Sequence, residues 1–259
     1  MNMTANYHTH TYLCHHATGT QRDYIERAIE AGWKTIGFSD HVPMPFPDGH
    51  QTRYRVRLED LRYYMWILEN LREEYKDRIE ILIGFEAEYY PSCFENMLRV
   101  LEPYAYDYLI LGQHYVREES EGIYSSDPTD DPEILHRYVE TTLEGLSTGK
   151  YTYFAHPDII NYTPNDDIYK KEMTYLCEEC KKMDIPLEIN ILGLEPRRAY
   201  PSERFFKIAA EVGNSFVLGV DAHQLKAVGN METLAMAENF AARLGITPLK
   251  TVKIRNPKG

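Results

Sequence analysis

Cysteine is scarce in this chain. Cys14, Cys93, Cys177 and Cys180 are the only four in 259 residues, too few and too scattered for the disulfide framework of a secreted domain, so reduced thiols are expected. Long apolar runs are missing as well: no stretch of about 18 apolar residues is there to span a bilayer. The opening Met-Asn-Met-Thr-Ala-Asn-Tyr-His lacks the basic head and apolar segment of a secretory leader. A cytoplasmic protein with no membrane partner is the expectation. Positive charge is the third shortage, with 28 Lys plus Arg against 40 Asp plus Glu and a formal charge of −12. Nucleic-acid binding is driven by Lys and Arg displacing counterions, so this balance argues against a nucleic-acid partner; a local cation could still draw in a small anion.

What remains is globular. A content of 43% hydrophobic and 12% aromatic residues supports a buried core and excludes disorder. Short apolar runs rich in β-branched and aromatic residues alternate with longer segments of helical periodicity. The expected strands are 3–7, 34–39, 79–86, 106–112, 152–155, 185–190 and 215–220, and the expected helices are 22–31, 58–76, 94–101, 132–148, 168–183, 202–212 and 231–244. No Pro-, Gly- or Ser-rich linker interrupts them. Seven unbroken βα units predict a single α/β domain over 1–259, a TIM-like (β/α)7 barrel one unit short of eight. Two connections are long, 42–57 with Arg53, Arg55 and Arg57, and the acidic 115–131, and long loops in compact domains usually shape a site. The basic tail 247–259 reads as peripheral.

Every apolar run is followed by a polar group able to ligate or hydrogen-bond: His8 and His10, Asp40 and His41, Glu86, His114, His156, Asn190, and Asp221 with His223. In a parallel barrel all strand C-termini open on one mouth, so these residues converge there. A single histidine is usually a hydrogen-bonded structural residue; this many together would leave ring nitrogens without partners unless a metal took them. His8 and His10 alternate on an extended chain and point to one side, as do Asp221 and His223. Glu86, alone among histidines, has two oxygens and is the natural bridge between ions. Its neighbour Glu88 shares its face and reads as a supporting or substrate-contacting group.

The segments His8-Thr9-His10-Thr11-Tyr12-Leu13-Cys14-His15-His16, Phe38-Ser39-Asp40-His41-Val42-Pro43-Met44-Pro45, Gly84-Phe85-Glu86-Ala87-Glu88, Gly112-Gln113-His114-Tyr115, Ala155-His156-Pro157 and Gly219-Val220-Asp221-Ala222-His223 resemble, in order, the motifs of the polymerase-and-histidinol-phosphatase (PHP) superfamily. The resemblance runs from residue 7 to about residue 229 and is strongest to the stand-alone histidinol-phosphate phosphatases. It implies a (β/α)7 barrel with three divalent ions. His8, His10, Glu86 and Asp221 would hold the first, Glu86, His114 and His156 the second, and His16, His41 and His223 the third. Family spacing selects His16, six residues after His10; the adjacent His15 is the alternative. With two carboxylates among the ligands, zinc, or else iron or manganese, suits the set better than magnesium or calcium.

The activity so implied is hydrolysis of the phosphomonoester L-histidinol phosphate in histidine biosynthesis, by in-line attack of a metal-bridging hydroxide, with Glu86, Asp221 and His223 as catalytic residues. Phosphate binding calls for a guanidinium. Arg197 is the first candidate, from a segment resembling the one that supplies such an arginine in the family, with Arg117, Arg198 and Arg55 as alternatives. Glu88, Asp158 and Asn190 are candidates for the amine and imidazole of the substrate. The other readings are a PHP phosphoesterase for another small phosphomonoester, a nuclease or proofreading module, which the charge disfavours, and an inactive barrel, which the complete ligand set disfavours.

Some motifs are set aside. The Gly-rich 145–150 is one residue short of a P-loop and continues into Tyr151 where Ser or Thr is needed. Cys177 and Cys180 form a lone C-x-x-C within a helical stretch and read as helix-surface thiols. Cys14 could ligate metal, but family spacing assigns it no role. His50 and His136 are assigned to the surface.

Overall fold

The apolar runs pair as parallel strands in a computed structural model, which describes residues 3–165, 167–194 and 198–258. Strands β1 (Ala5–Asn6), β2 (Thr35–Phe38), β3 (Glu80–Ala87) and β4 (Tyr108–Leu111) form one sheet in that order, and β5 (Leu187–Asn190) pairs with β6 (Phe216–Gly219) in a second. All ladders are parallel. Phe154 bridges Leu111 on one side and Leu187 on the other, and Thr9 bridges Ala222. The architecture is α/β, with a curled parallel sheet that makes at least a half-barrel.

Six of the seven expected strands form ladders among the described residues. The seventh, 152–155, is reduced to the single bridges at Phe154, because the chain leaves extended geometry at His156, whose φ is 32°. Helices α1 (Gln21–Glu30), α2 (Leu61–Tyr75), α3 (Phe94–Leu101), α4 (Pro132–Ser147), α5 (Asp167–Lys182), α6 (Glu203–Val212) and α7 (Met231–Arg243) lie within a few residues of the expected spans. Side chains that satisfy free amide groups fix the starts of α1, α4 and α7. Thr20 and Asp23 close a reciprocal capping box on α1, Asp131 caps α4 ahead of Pro132, and Asn230 caps α7.

Alternation along the strands sorts side chains into two layers. On β3, Ile81, Ile83 and Phe85 face the helices and join the main core, while Gly84 and Glu86 face the inside of the curl. Inside lies a smaller cluster of Ala5, Tyr7, Tyr108, Ile110, Tyr153, Ala155, Val217 and Val252. The Tyr108 hydroxyl donates to the carbonyls of Tyr7 at 2.7 Å and Phe38 at 3.1 Å. Gly37 and Gly84 make room for this ring, which a side chain at either position would overlap.

Two expectations are corrected. Cys177 and Cys180 are fully buried, sharing the inner stripe of α5 with Tyr169, Met173 and Leu176; a free cysteine behaves as a small apolar residue, and the polar face of the helix lies elsewhere. Burial raises both thiols. The tail is not peripheral either. Val252 enters the inner cluster, Arg255 Nη2 donates to the carbonyls of Met183 at 2.6 Å and Asp184 at 2.7 Å, and Lys258 Nζ donates to those of Glu102 and Tyr104 at 2.6 Å each. It covers the end of the curled sheet where the strands begin, and Arg255 and Lys258 serve backbone carbonyls there.

Candidate metal centre

Parallel strands deliver their C-terminal residues to one place, and Glu86 stands at its middle, 1% exposed. Its two oxygens face different histidines. Oε1 lies 2.8 Å from His156 Nε2 and 3.4 Å from His114 Nε2, whereas Oε2 lies 3.3 Å from His10 Nε2, 3.4 Å from His8 Nε2 and 3.2 Å from His41 Nδ1. Asp221 Oδ1 sits 3.3 Å from each of His8 Nε2, His10 Nε2 and His223 Nδ1. His16 Nε2 meets His223 Nε2 at 2.8 Å, and its ring stacks on His41 at 5.1 Å. The structure therefore gathers every expected ligand: His8, His10, His16, His41, Glu86, His114, His156, Asp221 and His223. His15 is exposed and stands apart from the cluster, in a left-handed conformation (φ 64°) that turns the chain so that His16 faces it.

Local structure is bent to achieve this. His156 and Asp221 have φ of 32° and 51°, a region that costs a side-chain-bearing residue about 1–3 kcal/mol. Gly112 and Gly219 lie against carboxylates: a Cβ at Gly112 would overlap Glu86 Oε1, and one at Gly219 would overlap Glu188 Oε1. Glu188, on β5 and fully buried, was missed in the sequence, where it is one carboxylate in the apolar run Ile-Pro-Leu-Glu-Ile-Asn. Its Oε1 meets His8 Nδ1 at 2.8 Å, and its Oε2 accepts from the His156 amide and from Asn190 Nδ2, both at 2.9 Å. Glu88 does the same for His114, Oε1 to Nδ1 at 2.8 Å. Such bonds fix a ring and leave the other nitrogen's lone pair facing inward. Asp40 accepts from the amide and hydroxyl of Thr11, both at 2.5 Å, and holds the first motif; burial pushes its carboxyl up to about 6.

The carboxylates and imidazoles of the centre set one another's charge. Burial opposes charge on His8 and His10, yet the neighbouring carboxylates outweigh it and raise both. Burial and nearby imidazoles lower His41, and bring His223 to about 3. Burial opposes ionisation of Glu86 and Asp221, but the surrounding histidines prevail and hold both well below the usual carboxylate range. The result is two ionised carboxylates among imidazoles, several of them neutral. Asp221 Oδ1, buried and within 3.3 Å of three ring nitrogens, makes no hydrogen bond to any of them. Donor atoms of His8, His10 and Asp221, of His8, Glu86 and His156, of His41, Glu86 and His114, and of His10, His41 and His223 converge within 4.8 Å. These residues fit divalent transition ions, which accept neutral imidazole and carboxylate together. His10, Cys14 and Asp40 form a further such group.

Above the centre opens a cavity of about 500 Å³ lined by His16, His41, Glu86, His114, Asp221 and His223, by Tyr54, Tyr115, Tyr124 and Tyr200, and by Arg198 and Lys226. The tyrosines and Lys226 were not anticipated; the signal available for the first three was their position in the two long connections. Arg198 Nη1 donates to the Tyr200 hydroxyl at 2.9 Å. The other arginine candidates are elsewhere. Arg117 is exposed and pairs with Glu121 at 3.3 Å, Arg55 is buried between Glu88 and Glu119, and Arg197 lies outside the described residues. Glu88 does not line the cavity, since its oxygens are taken by His114 and Arg55. Asn190 is engaged by Glu188, Asp221 and the Gly193 amide. Asp158 accepts from the Ser202 amide at 2.5 Å away from the cavity wall, and burial pushes it to about 7. His50 is part-exposed and His136 exposed.

Comparison with known proteins agrees with this geometry. The family model of the PHP domain matches residues 6–191. The chain is similar to the "Probable histidinol-phosphatase" of Deinococcus radiodurans, 30% identical over 239 residues that cover 86% of this chain and 87% of that protein. It is also similar to the protein of the same name from Schizosaccharomyces pombe, 26% identical over 291 aligned residues, covering 99% and 92%. Among solved structures, histidinol phosphate phosphatase from Lactococcus lactis, complexed with zinc, L-histidinol and phosphate, matches with a TM-score of 0.74 at 19% identity, over 97% of this chain and 99% of that one. That last likeness is one of fold.

Proposed function

The chain belongs to the PHP domain family, and from that premise we propose that it is a metal-dependent phosphomonoesterase that hydrolyses L-histidinol phosphate to L-histidinol and phosphate in histidine biosynthesis. The observation that carries this reading is Glu86, whose two oxygens are divided between two sets of histidines beneath a cavity with Arg198 and Lys226 in its wall. Similarity to relatives called histidinol-phosphatase supports the substrate. The Phe154 and Thr9–Ala222 bridges, with six α-helices between the strands and a seventh after β6 among the described residues, support a closed (β/α)7 barrel forming a single domain over 1–259. Buried free thiols and a biosynthetic role fit a cytoplasmic setting.

His8, His10, Glu86 and Asp221 would hold one ion, Glu86, His114 and His156 a second, and His16, His41 and His223 a third. Zinc is favoured, ahead of iron or manganese, by a donor set with seven imidazoles and two carboxylates. When bound, such ions lower the pKa of water and neutralise phosphoryl oxygens as charge develops. The remaining work falls to the chain itself. Glu188 and Glu88 lock His8 and His114 in one ring orientation. The Asp221 backbone carbonyl, 3.0 Å from His223 Nδ1, orients that ring at the cavity wall, while the Asp221 carboxylate is kept ionised. Arg198, steadied by Tyr200, offers a guanidinium to the phosphate, with Arg197 next to it in the chain and Lys226 also in the cavity wall. Tyr54, Tyr115 and Tyr124 narrow the cavity and exclude water from the reacting face.

The test is a phosphomonoester panel with protein purified without chelator. L-histidinol phosphate should have the highest kcat/KM, by about two orders of magnitude or more, a margin that polar recognition of a whole leaving group can supply. A different substrate turned over much faster would leave the metal centre standing and remove the substrate assignment; well under one equivalent of transition metal in active protein would remove the centre.

A further inference from the structure

The two long connections meet beside the metal centre through a buried line of charges. Arg55, from the connection after β2, is 3% exposed, and Glu119, from the connection after β4, is 6% exposed. Arg55 lies between two carboxylates. Its Nη1 donates to Glu88 Oε2 at 2.6 Å, and its Nη2 and Nε donate to Glu119 Oε2 at 2.7 and 3.1 Å. Glu119 also accepts from Thr52 Oγ1 at 2.5 Å, the Tyr54 hydroxyl at 2.9 Å and His50 Nε2 at 3.1 Å. At the other end of the line, Glu88 Oε1 meets His114 Nδ1 at 2.8 Å, and His114 Nε2 faces Glu86 Oε1 at 3.4 Å.

Three charges removed from water gain little net stability from their mutual attraction, because desolvation offsets it; such a group is better explained by the geometry it imposes. Here the geometry is that of a ligand. A carboxylate on Nδ1 holds that proton and leaves Nε2 bare and more basic toward a cation. Glu88 can do this only while Arg55 fixes its other oxygen, and the fork of Arg55 is filled only while Glu119 is docked.

We propose that Arg55 and Glu119 are positioning residues for the metal centre, acting in series through Glu88 on His114, so that docking of the 115–131 connection onto the 42–57 connection sets metal affinity at the Glu86, His114 and His156 end. The inference rests on the metal-dependent reading above. It adds that a residue in a loop, in contact with no ligand, tunes one ion and leaves the others alone.

The experiment is stepwise competition for zinc between the full-length protein and a chromophoric chelator, with thermal unfolding of the zinc-free protein measured alongside. Glu119→Gln keeps the shape and removes the charge. It should weaken one equivalent of zinc about tenfold and leave the others within twofold, with the zinc-free melting temperature nearly unchanged. Glu88→Gln should weaken the same equivalent at least as much, and the double variant no more than Glu88→Gln alone, because residues in series do not add. Arg55→Lys, which keeps a positive charge and loses the fork, should fall between wild type and Glu88→Gln. Zinc affinities within twofold of wild type in Glu119→Gln, or losses that add in the double variant, overturn the proposal. If Glu119→Gln fails to fold, Arg55→Lys takes its place in the cycle with Glu88→Gln, and the same two outcomes support or overturn the proposal. Wild-type protein that binds well under one equivalent of zinc overturns the metal reading itself, a result distinct from the others.

Discussion

The two ends of the curled sheet are built from the same strands and treat their polar groups in opposite ways. At the end where the strands begin, tyrosines and Val252 fill the interior, and the tail's Arg255 and Lys258 cover backbone carbonyls. At the mouth, imidazole nitrogens crowd to 2.8 Å, Asp221 Oδ1 is buried without a hydrogen bond, and His156 and Asp221 hold left-handed backbone. Strain and unmatched polar atoms of this kind cluster where function over-determines the structure. The lesson is a division of labour: one end supplies stability, and the other holds a donor set that only a cation completes.

The largest expected effect breaks the mouth and leaves the floor alone. Gly112→Ala places a methyl group on Glu86 Oε1, displacing the one carboxylate that faces both histidine sets, while the rest of the core is untouched. The charge stabilisation so lost amounts to several kcal/mol, hence a fall in kcat/KM of about a thousandfold. Steady-state kinetics with the metal content of the same sample would check it. Activity within tenfold of wild type would mean that Glu86 is not the shared carboxylate.

Next in size is metal removal. If cations complete the mouth, chelation should destabilise the whole fold, since a ligand at a thousand times its Kd contributes about 4 kcal/mol, or a melting temperature lower by about 10 °C in a chain of this size. Differential scanning calorimetry with and without chelator measures it. An unchanged melting temperature would show a mouth already satisfied by its own hydrogen bonds, and the contrast between the two ends would disappear.

How far the sequence reveals this contrast depends on distance along the chain. The βα alternation and the polar residue after each strand are local signals, and parallel topology converts them into convergence, so His8, His10, His41, Glu86, His114, His156, Asp221 and His223 could be placed together in advance, whereas His16 follows no strand directly and is named only through the resemblance to the PHP motifs. Glu188 could not, because a carboxylate in an apolar strand reads the same whether it faces a helix or a metal ligand. The pairing of Arg55 with Glu119 is 64 residues apart and has no periodicity to betray it. Cys177 and Cys180 are misplaced from sequence because the short C-x-x-C pattern masks the apolar stripe of α5 to which both belong. The tail is misplaced because Arg255 and Lys258 look solvated, whereas they reach carbonyls that no pattern marks.

At the floor, Arg255→Ala removes two charge-assisted hydrogen bonds. A bond to a charged group is worth about 1.5–3 kcal/mol, and partial exposure of the Asp184 carbonyl keeps the sum near the lower figure, so the melting temperature should drop by about 5 °C with kcat/KM unchanged. A tenfold loss of activity at full stability would show that the floor, too, serves the chemistry.

The smallest effect asks whether the mouth is wholly given over to function. Thr20 and Asp23 lie there, four and seven residues past His16, and their capping box is ordinary helix chemistry. Thr20→Ala should cost about 1 kcal/mol and leave zinc affinity unchanged. The pH dependence identifies the partner. Asp23 accepts from the Thr20 hydroxyl at 2.7 Å and the Thr20 amide at 2.8 Å, and these bonds hold its carboxyl below the ordinary range. A group whose folded pKa is depressed stabilises the fold above its unfolded value, about 3.9 for Asp, and loses that contribution as pH falls through the folded value. The stability difference between wild type and Thr20→Ala, measured by urea unfolding in chelator, should therefore be constant above about pH 5 and shrink below pH 4. A difference that holds at pH 3 would assign the effect to the hydroxyl alone, and one that grows above pH 6 would tie the cap to the histidines after all.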